Sequence, residues 1–300
     1  MPSRGVSVQS AAVRRNLIFV GVCLVTLLVF GPILKNNVGL GLRDDRYLPI
    51  AVAPFACAML LFLRRIEIFS QAAFSPHFGI PLVSAFVVLG MFGVHGDLGG
   101  KSGGPVVSSL LMILMWIASF VLCCGMGSFR AALYPLCTLF LMIPLPSSWM
   151  DRVSMFLQHG SAAIAYHMLL VVGMPVFRHG MVFSLPGLEF EVAPECSGLH
   201  SSLALMMIAI VAAYLCLRSG WSRAALLALT IPVALVKNAI RIAVIGGLGA
   251  RVDRAFIDGP FHHQYGGVVF SAVAVVLFVL ILGGLQVVER HWRSQGPNVA

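Results

Sequence analysis

An all-α, polytopic membrane fold is what this sequence predicts, and three observations predict it. Of the 300 residues, 59% are hydrophobic and only 10% are charged, against roughly 25% charged in ordinary soluble domains. A soluble fold lacks polar cover at that composition, so the bilayer must serve as solvent for most of the chain. Apolar stretches long enough, or nearly so, to cross a ~30 Å hydrocarbon core recur along its whole length. No long polar segment could form a separate soluble domain, so residues 1–300 read as one membrane-embedded domain.

The formal charge of +9 is scattered over short loops, without a basic stripe or interleaved aromatics. Membrane topology accounts for such a pattern, and nucleic acid is not expected as a partner. The seven cysteines include no C-x-x-C pair. Cys23, Cys57, Cys123, Cys124, Cys137 and Cys216 lie in apolar runs and read as small hydrophobes, whereas Cys196 has polar neighbours.

Taken in order, residues 1–16, with Arg4, Arg14 and Arg15, read as a cytoplasmic tail. The apolar run from Leu17 to Leu34 is too long for a signal-peptide core and has no evident small-residue cleavage site, so it reads as a retained first span. Further spans are expected at about 48–63, 80–95, 105–124, 131–146, 199–217, 224–248 and 266–288, making eight. Turn chemistry at Gly99–Pro105 separates the third from the fourth. Eight spans put both termini on one side, where ten basic residues face only Glu67 and Glu289; the other side has eight basic against nine acidic. The Arg-bounded helix ends favour cytoplasmic termini in a cell inner membrane.

Residues 153–196 are expected to form an extracytoplasmic segment. Val153–Met174 is apolar but interrupted by Gln158, His159 and His167, and reads as an interfacial or re-entrant helix. After it, Met181–Leu185 and Leu188–Val192 flank Pro186-Gly187, and Leu188, Phe190 and Val192 alternate with Glu189 and Glu191. That is a small β-hairpin.

Three features bring chemistry to the outer face of this topology. Pro194-Glu195-Cys196-Ser197-Gly198-Leu199-His200 opens the sixth span, and a cysteine at a helix N-terminus meets unpaired amides and the positive dipole end, which favour the thiolate. Lys237-Asn238-Ala239-Ile240-Arg241 lies in the seventh span, with Arg241 roughly 26 Å along the helix from Ala224. An arginine in an apolar helix is costly and marks a functional position by default. Asn238, three residues earlier on the same face, can orient it. His262 and His263 precede the eighth span, where an imidazole titrates near neutrality and can move protons. A lone histidine pair is a poor metal site, so neither metal nor cofactor is expected. The combination allows acyl transfer: Cys196 attacks a peptide carbonyl, Arg241 stabilises the oxyanion, and His262 protonates the leaving amine and then activates the acceptor.

Taken together, these motifs make the chain resemble the exosortase/archaeosortase family of polytopic cysteine transpeptidases. Met142-Ile143-Pro144-Leu145-Pro146 is similar to the motif before the family's catalytic half. Leu185-Pro186-Gly187 with Val192–Leu199 resembles its cysteine motif, Asn238-Ala239-Ile240-Arg241-Ile242 its N-x-x-R-I pattern, and His262, Gly266 and Phe270 its H-x-x-x-G-x-x-x-F pattern. Asp45, Tyr47 and Arg64-Arg65 resemble the N-terminal half more loosely, so the likeness runs from about residue 40 to 290. The register with Gly266 and Phe270 selects His262 over His263. His200 stands where many members carry arginine.

The resemblance implies catalytic roles for Cys196, Arg241 and His262; Asn238, Ser197, Gly198, Glu195 and His263 are expected to support them. It also implies membrane-anchored protein substrates whose C-terminal sorting signal has a short Pro-containing motif, a transmembrane helix and a basic tail. Transfer to a polysaccharide or lipid-linked surface acceptor, linked to exopolysaccharide production, completes the expected activity. The competing readings are a transporter, which calls for polar mid-membrane residues in several helices, and a non-catalytic scaffold of envelope polysaccharide assembly.

Overall fold

The computed structural model describes residues 3–70, 72–95, 100–193, 197–254, 256, 259 and 266–295. It is 84% helical with one small sheet, and it divides into two compact units, Met1–Pro146 and Ser147–Ala300.

In the first unit, α1 (Ser3–Arg43) leads through a 3-10 turn at Asp45–Tyr47 into α2 (Leu48–Leu63), the five-residue α3 (Arg65–Phe69), α4 (Pro76–His95) and α5 (Gly100–Cys137), which ends in a second 3-10 turn, Thr138–Met142. Asp44 caps the first turn by accepting from the Arg46 backbone N–H at 3.0 Å. Hydrogen bonding from the Arg46 side chain holds the Asp44 carboxyl below its ordinary range. Polar groups tie distant helices together: Asn37 donates to Ser109 Oγ at 2.6 Å, and the Tyr47 hydroxyl donates to Leu145 O at 3.2 Å.

The first unit turns on Gly125, which takes φ +82° and breaks α5. A side chain there is excluded twice over, by the left-handed φ and because a Cβ would lie 2.6 Å from Ala73 O. The carbonyls released near the break are not left bare. Ala73 N–H donates to Cys124 O at 3.1 Å and Ser75 N–H to Leu122 O at 3.0 Å, as buried backbone groups require.

Among the described residues, five helices are long and apolar enough to cross a membrane: Asp45–Leu63, Gly104–Met142, Leu199–Cys216, Gly220–Arg251 and Gly266–Ser294. The bent pair Leu17–Thr26 and Leu28–Arg43, 63° apart, makes a sixth if it forms one span. The all-α polytopic expectation holds, and among the described residues five or six spans of the expected eight meet this test. The expected spans 105–124 and 131–146 fall on either side of Gly125, where α5 breaks, within the apolar stretch Gly104–Met142, and the expected span 80–95 lies within α4.

The second unit contains α6 (Ser147–Val171), strands β1 (Phe177–His179), β2 (Val182–Leu185) and β3 (Leu188–Glu191), then α7 (Leu199–Cys216), α8 (Gly220–Arg251) and α9 (Gly266–Gln295). Residues 153–171 of the segment expected to be interfacial or re-entrant belong to α6, an unbroken helix of 25 residues. Its polar interruptions are accommodated in place: buried Gln158 donates its side-chain amide to Val192 O at 2.5 Å. Small residues let α6 lie close along α8 in the same direction. Gly160 faces Leu235, and Leu169 faces Gly247. The helix ends in a Schellman motif, with Gly173 at φ +74°, Gly173 N–H bonded to Leu170 O and Met174 N–H to Leu169 O.

The expected hairpin is β2–β3, with Phe183 opposite Phe190 and Leu185 opposite Leu188. A third antiparallel strand, β1, joins β2. The Pro186-Gly187 turn has a positive φ of 75° at Gly187, the order a type II turn needs. Leu188 and Val192 are buried while Glu189 and Glu191 are exposed, as the alternation predicts. Phe190 stacks on Phe183 with centroids 5.4 Å apart and sits over Gly246 of α8, where a Cβ would come within 2.7 Å of its ring. The sheet therefore packs onto α6 and the C-terminal half of α8, around Phe183, Val192, Ala239 and Ile242.

At the other end of α8, Glu289 of α9 holds the α7–α8 turn. Its carboxylate accepts from Arg218 N–H at 3.1 Å and Ser219 N–H at 2.5 Å, and receives Arg293 at 3.3 Å. Glu289 is only 7% exposed, and removing it leaves the Arg218 and Ser219 N–H groups without their charged acceptor. We expect Glu289→Ala to cost about 2 kcal/mol and to lower the melting temperature of the detergent-solubilised protein, with Glu289→Gln losing less because it retains one acceptor oxygen. Thermal melts of the three proteins check this.

Candidate active site

The site is organised by the meeting of two helices. α7 begins at Leu199 immediately after Gly198, whose φ of +73° is left-handed. A Cβ on Gly198 would lie 3.2 Å from Asn238 Cγ and Oδ1. Glycine is thus required twice, for conformation and for the close approach of this backbone to α8. Ser197, buried, accepts from Leu199 N–H at 3.4 Å.

The Gly198 carbonyl is a hub. Ser202 N–H donates to it at 3.0 Å, as do the hydroxyls of Ser201 at 3.0 Å and Ser202 at 2.7 Å. Ser201 Oγ in turn receives the ammonium of Lys237 from α8. Lys237 and Asn238 are almost fully buried, at 4% and 1% exposure. Arg241 is half-buried, one helical turn beyond Lys237, so the two cations share a face of α8. With the amides of the first α7 turn, they make this corner strongly electropositive, a setting for an anion.

Helix lengths place the corner. α7 has 18 residues, roughly 27 Å, and α8 climbs beside it from the Glu289-held turn to Asn238, then continues to Arg251 under the sheet and α6. Counted from the contact of Glu289 with Ser219, Arg241 stands roughly 33 Å up α8 and Gly266 roughly 35 Å up α9. The first residue of α9 and Arg241 therefore stand at similar path lengths from that contact.

Of the residues singled out by sequence, the structure brings Gly198, which follows Ser197, against Asn238, and Arg241 follows Asn238 three residues along α8. Glu195, Cys196, His262 and His263 lie outside the described residues. Cys196 precedes Ser197 directly, and His262 and His263 precede α9 by a few residues. His200 is exposed on the first turn of α7. Among the described residues, no group of three or more His, Cys, Asp or Glu could hold a metal ion. Sequence reasoning assigns Ser201 no role, and Lys237 none in acyl transfer. The one signal for them is a second cation a turn before Arg241.

Gly198→Ala is expected to cost roughly 1–2 kcal/mol from the left-handed backbone alone, more with the contact to Asn238. A lowered melting temperature of the purified variant checks this, and an unchanged one contradicts the packing described.

Comparison with known proteins bears on the same residues. The family model for transmembrane exosortases matches residues 42–279, from the last turn of α1 to the middle of α9. A search of curated proteins and one of solved structures each find no match. The matched stretch covers well over half of the chain and contains the whole α7–α8 corner, and on this ground the chain belongs to the transmembrane exosortase family.

Proposed function

We propose that this protein is a membrane cysteine peptidase-transpeptidase that cleaves the C-terminal sorting signals of secreted proteins. The observation that carries the reading is the α7–α8 corner. The residue after Cys196 is buried at the head of α7, and Arg241 lies on the α8 face that Gly198 touches, one turn beyond it. Membership of the exosortase family supports a transpeptidase-type role in general.

In this mechanism the Cys196 thiolate attacks the scissile carbonyl, forming a C–S bond and a tetrahedral oxyanion. Arg241 stabilises that charge where it develops. Collapse breaks the C–N bond, and His262 gives its proton to the departing amine, leaving a thioester. His262 then takes a proton from the acceptor, an amine or water, whose attack releases Cys196. A surface acceptor, polysaccharide or lipid-linked, would retain the product on the cell.

The active site is assigned to the extracytoplasmic side of the inner membrane. Arg218, Arg223, Arg290 and Arg293 gather at the α7–α8 turn and the end of α9, beside Trp221 and Trp292, whose rings are 6.5 Å apart. Arginines with interfacial tryptophans favour a cytoplasmic boundary there. One α7 length away, close to the ~30 Å hydrocarbon thickness, lies the Gly198–Asn238 contact. The sheet and the last turns of α8 then project beyond the membrane.

In cells making a cognate substrate, Cys196→Ala and His262→Ala are expected to abolish processing, and Arg241→Lys to slow it about 100- to 1,000-fold, the range for loss of an oxyanion donor. Mass spectrometry of the substrate's new C-terminus reads both cleavage and any attached acceptor. Normal processing in all three variants overturns the reading.

A further inference from the structure

Lys237 calls for an explanation of its own. A lysine 4% exposed inside an apolar helix is expensive unless paired or hydrated, and among the described residues no carboxylate forms an ion pair with it. Its described contact is the neutral hydroxyl of Ser201. Among the described residues, the charged and titratable groups around it do not offset its charge. Arg241 follows one turn along the same helix, and His200 lies on the first turn of α7. The described length of α9 up to Gln286 contains no ionisable side chain, and Glu189 and Glu191 of β3 are exposed. A cation kept in such surroundings favours an anion close by.

Its hydrogen bond runs toward the same place. Lys237 holds Ser201, and Ser201 donates to the Gly198 carbonyl at 3.0 Å, two residues after position 196. We propose, resting on the cysteine-enzyme reading, that Lys237 is a positioning residue for the nucleophile: through Ser201 it fixes the Gly198 turn that aims the chain at residue 196, and its charge favours the thiolate there. Arg241 is thereby left to the oxyanion, so the two cations on one face divide the negative charges of the reaction between them. A cation beside a thiol raises the thiolate fraction at a given pH, which an uncharged replacement cannot do.

The test needs no substrate. Iodoacetamide is reacted with the full-length protein in detergent across a pH range, and alkylation is read by mass spectrometry on the peptide containing Cys196. For Lys237→Gln, which retains a hydrogen-bond donor without charge, the midpoint of the profile should rise by about one pH unit; Lys237→Arg should leave it near wild type. Ser201→Ala, which retains the cation but cuts the link, should slow alkylation several-fold and decides the matter if Lys237→Gln does not fold. Wild-type profiles in Lys237→Gln and Ser201→Ala overturn the proposal, and so does a lowered melting temperature with an unmoved midpoint. Failure of the underlying reading looks different: Cys196→Ala then processes substrate normally, whatever the alkylation profiles show.

Discussion

The close contact between the first turn of α7 and the middle of α8 is the constraint on which the second unit depends. It exists because Gly198 has no side chain and accepts a left-handed conformation, so that backbone reaches Asn238 directly. Both helices are also joined at the far end, where Glu289 gathers the backbone N–H groups of Arg218 and Ser219. Held at two points about one helix length apart, α7 cannot slide along α8. That register determines which α8 residues face the segment following Cys196, and they include Lys237 and Asn238. The part of α8 above Asn238 is then free to support the sheet and α6.

Buried polar groups do much of the joining. In a lipid environment, apolar side chains gain little by leaving lipid for one another, so small residues and interhelical hydrogen bonds carry more of the specificity. The protein follows this rule in both units. Asn37 ties α1 to α5 through Ser109, Gln158 ties α6 to the end of the hairpin, and Lys237 ties α8 to α7. Gly160 and Gly246 admit Leu235 and Phe190 where a larger residue would hold the elements apart. Most of these contacts join elements distant in sequence, and each limits its pair of elements to a narrow range of registers.

Parts of this architecture are legible in the amino-acid sequence. The β2–β3 hairpin follows from alternation around Pro186-Gly187, a signal contained in a dozen residues. The long helices α7, α8 and α9 follow from apolar runs with arginines at one end, Arg218, Arg223 and Arg290, the run of α8 being interrupted by Lys237, Asn238 and Arg241. The span count is harder, because a 39-residue apolar stretch reads equally as one long helix or two short ones until the backbone at Gly125 is known. The interfacial or re-entrant reading of Val153–Met174 rests on polar residues interrupting an apolar run. Gln158 has its acceptor in Val192, 34 residues away, and no local pattern could reveal that.

Membrane fold class, family motifs and the identity of the residues proposed to act are all written in the order of the amino acids, because composition, periodicity and short motifs are local properties. Folding in three dimensions adds what those properties cannot hold. It brings Gly198 against Asn238, runs α6 unbroken along α8, and carries Lys237 to Ser201. Those facts depend on which faces of two helices meet and at what register. That register is set by a missing Cβ at Gly198 and a carboxylate at Glu289, acting between segments far apart in the chain.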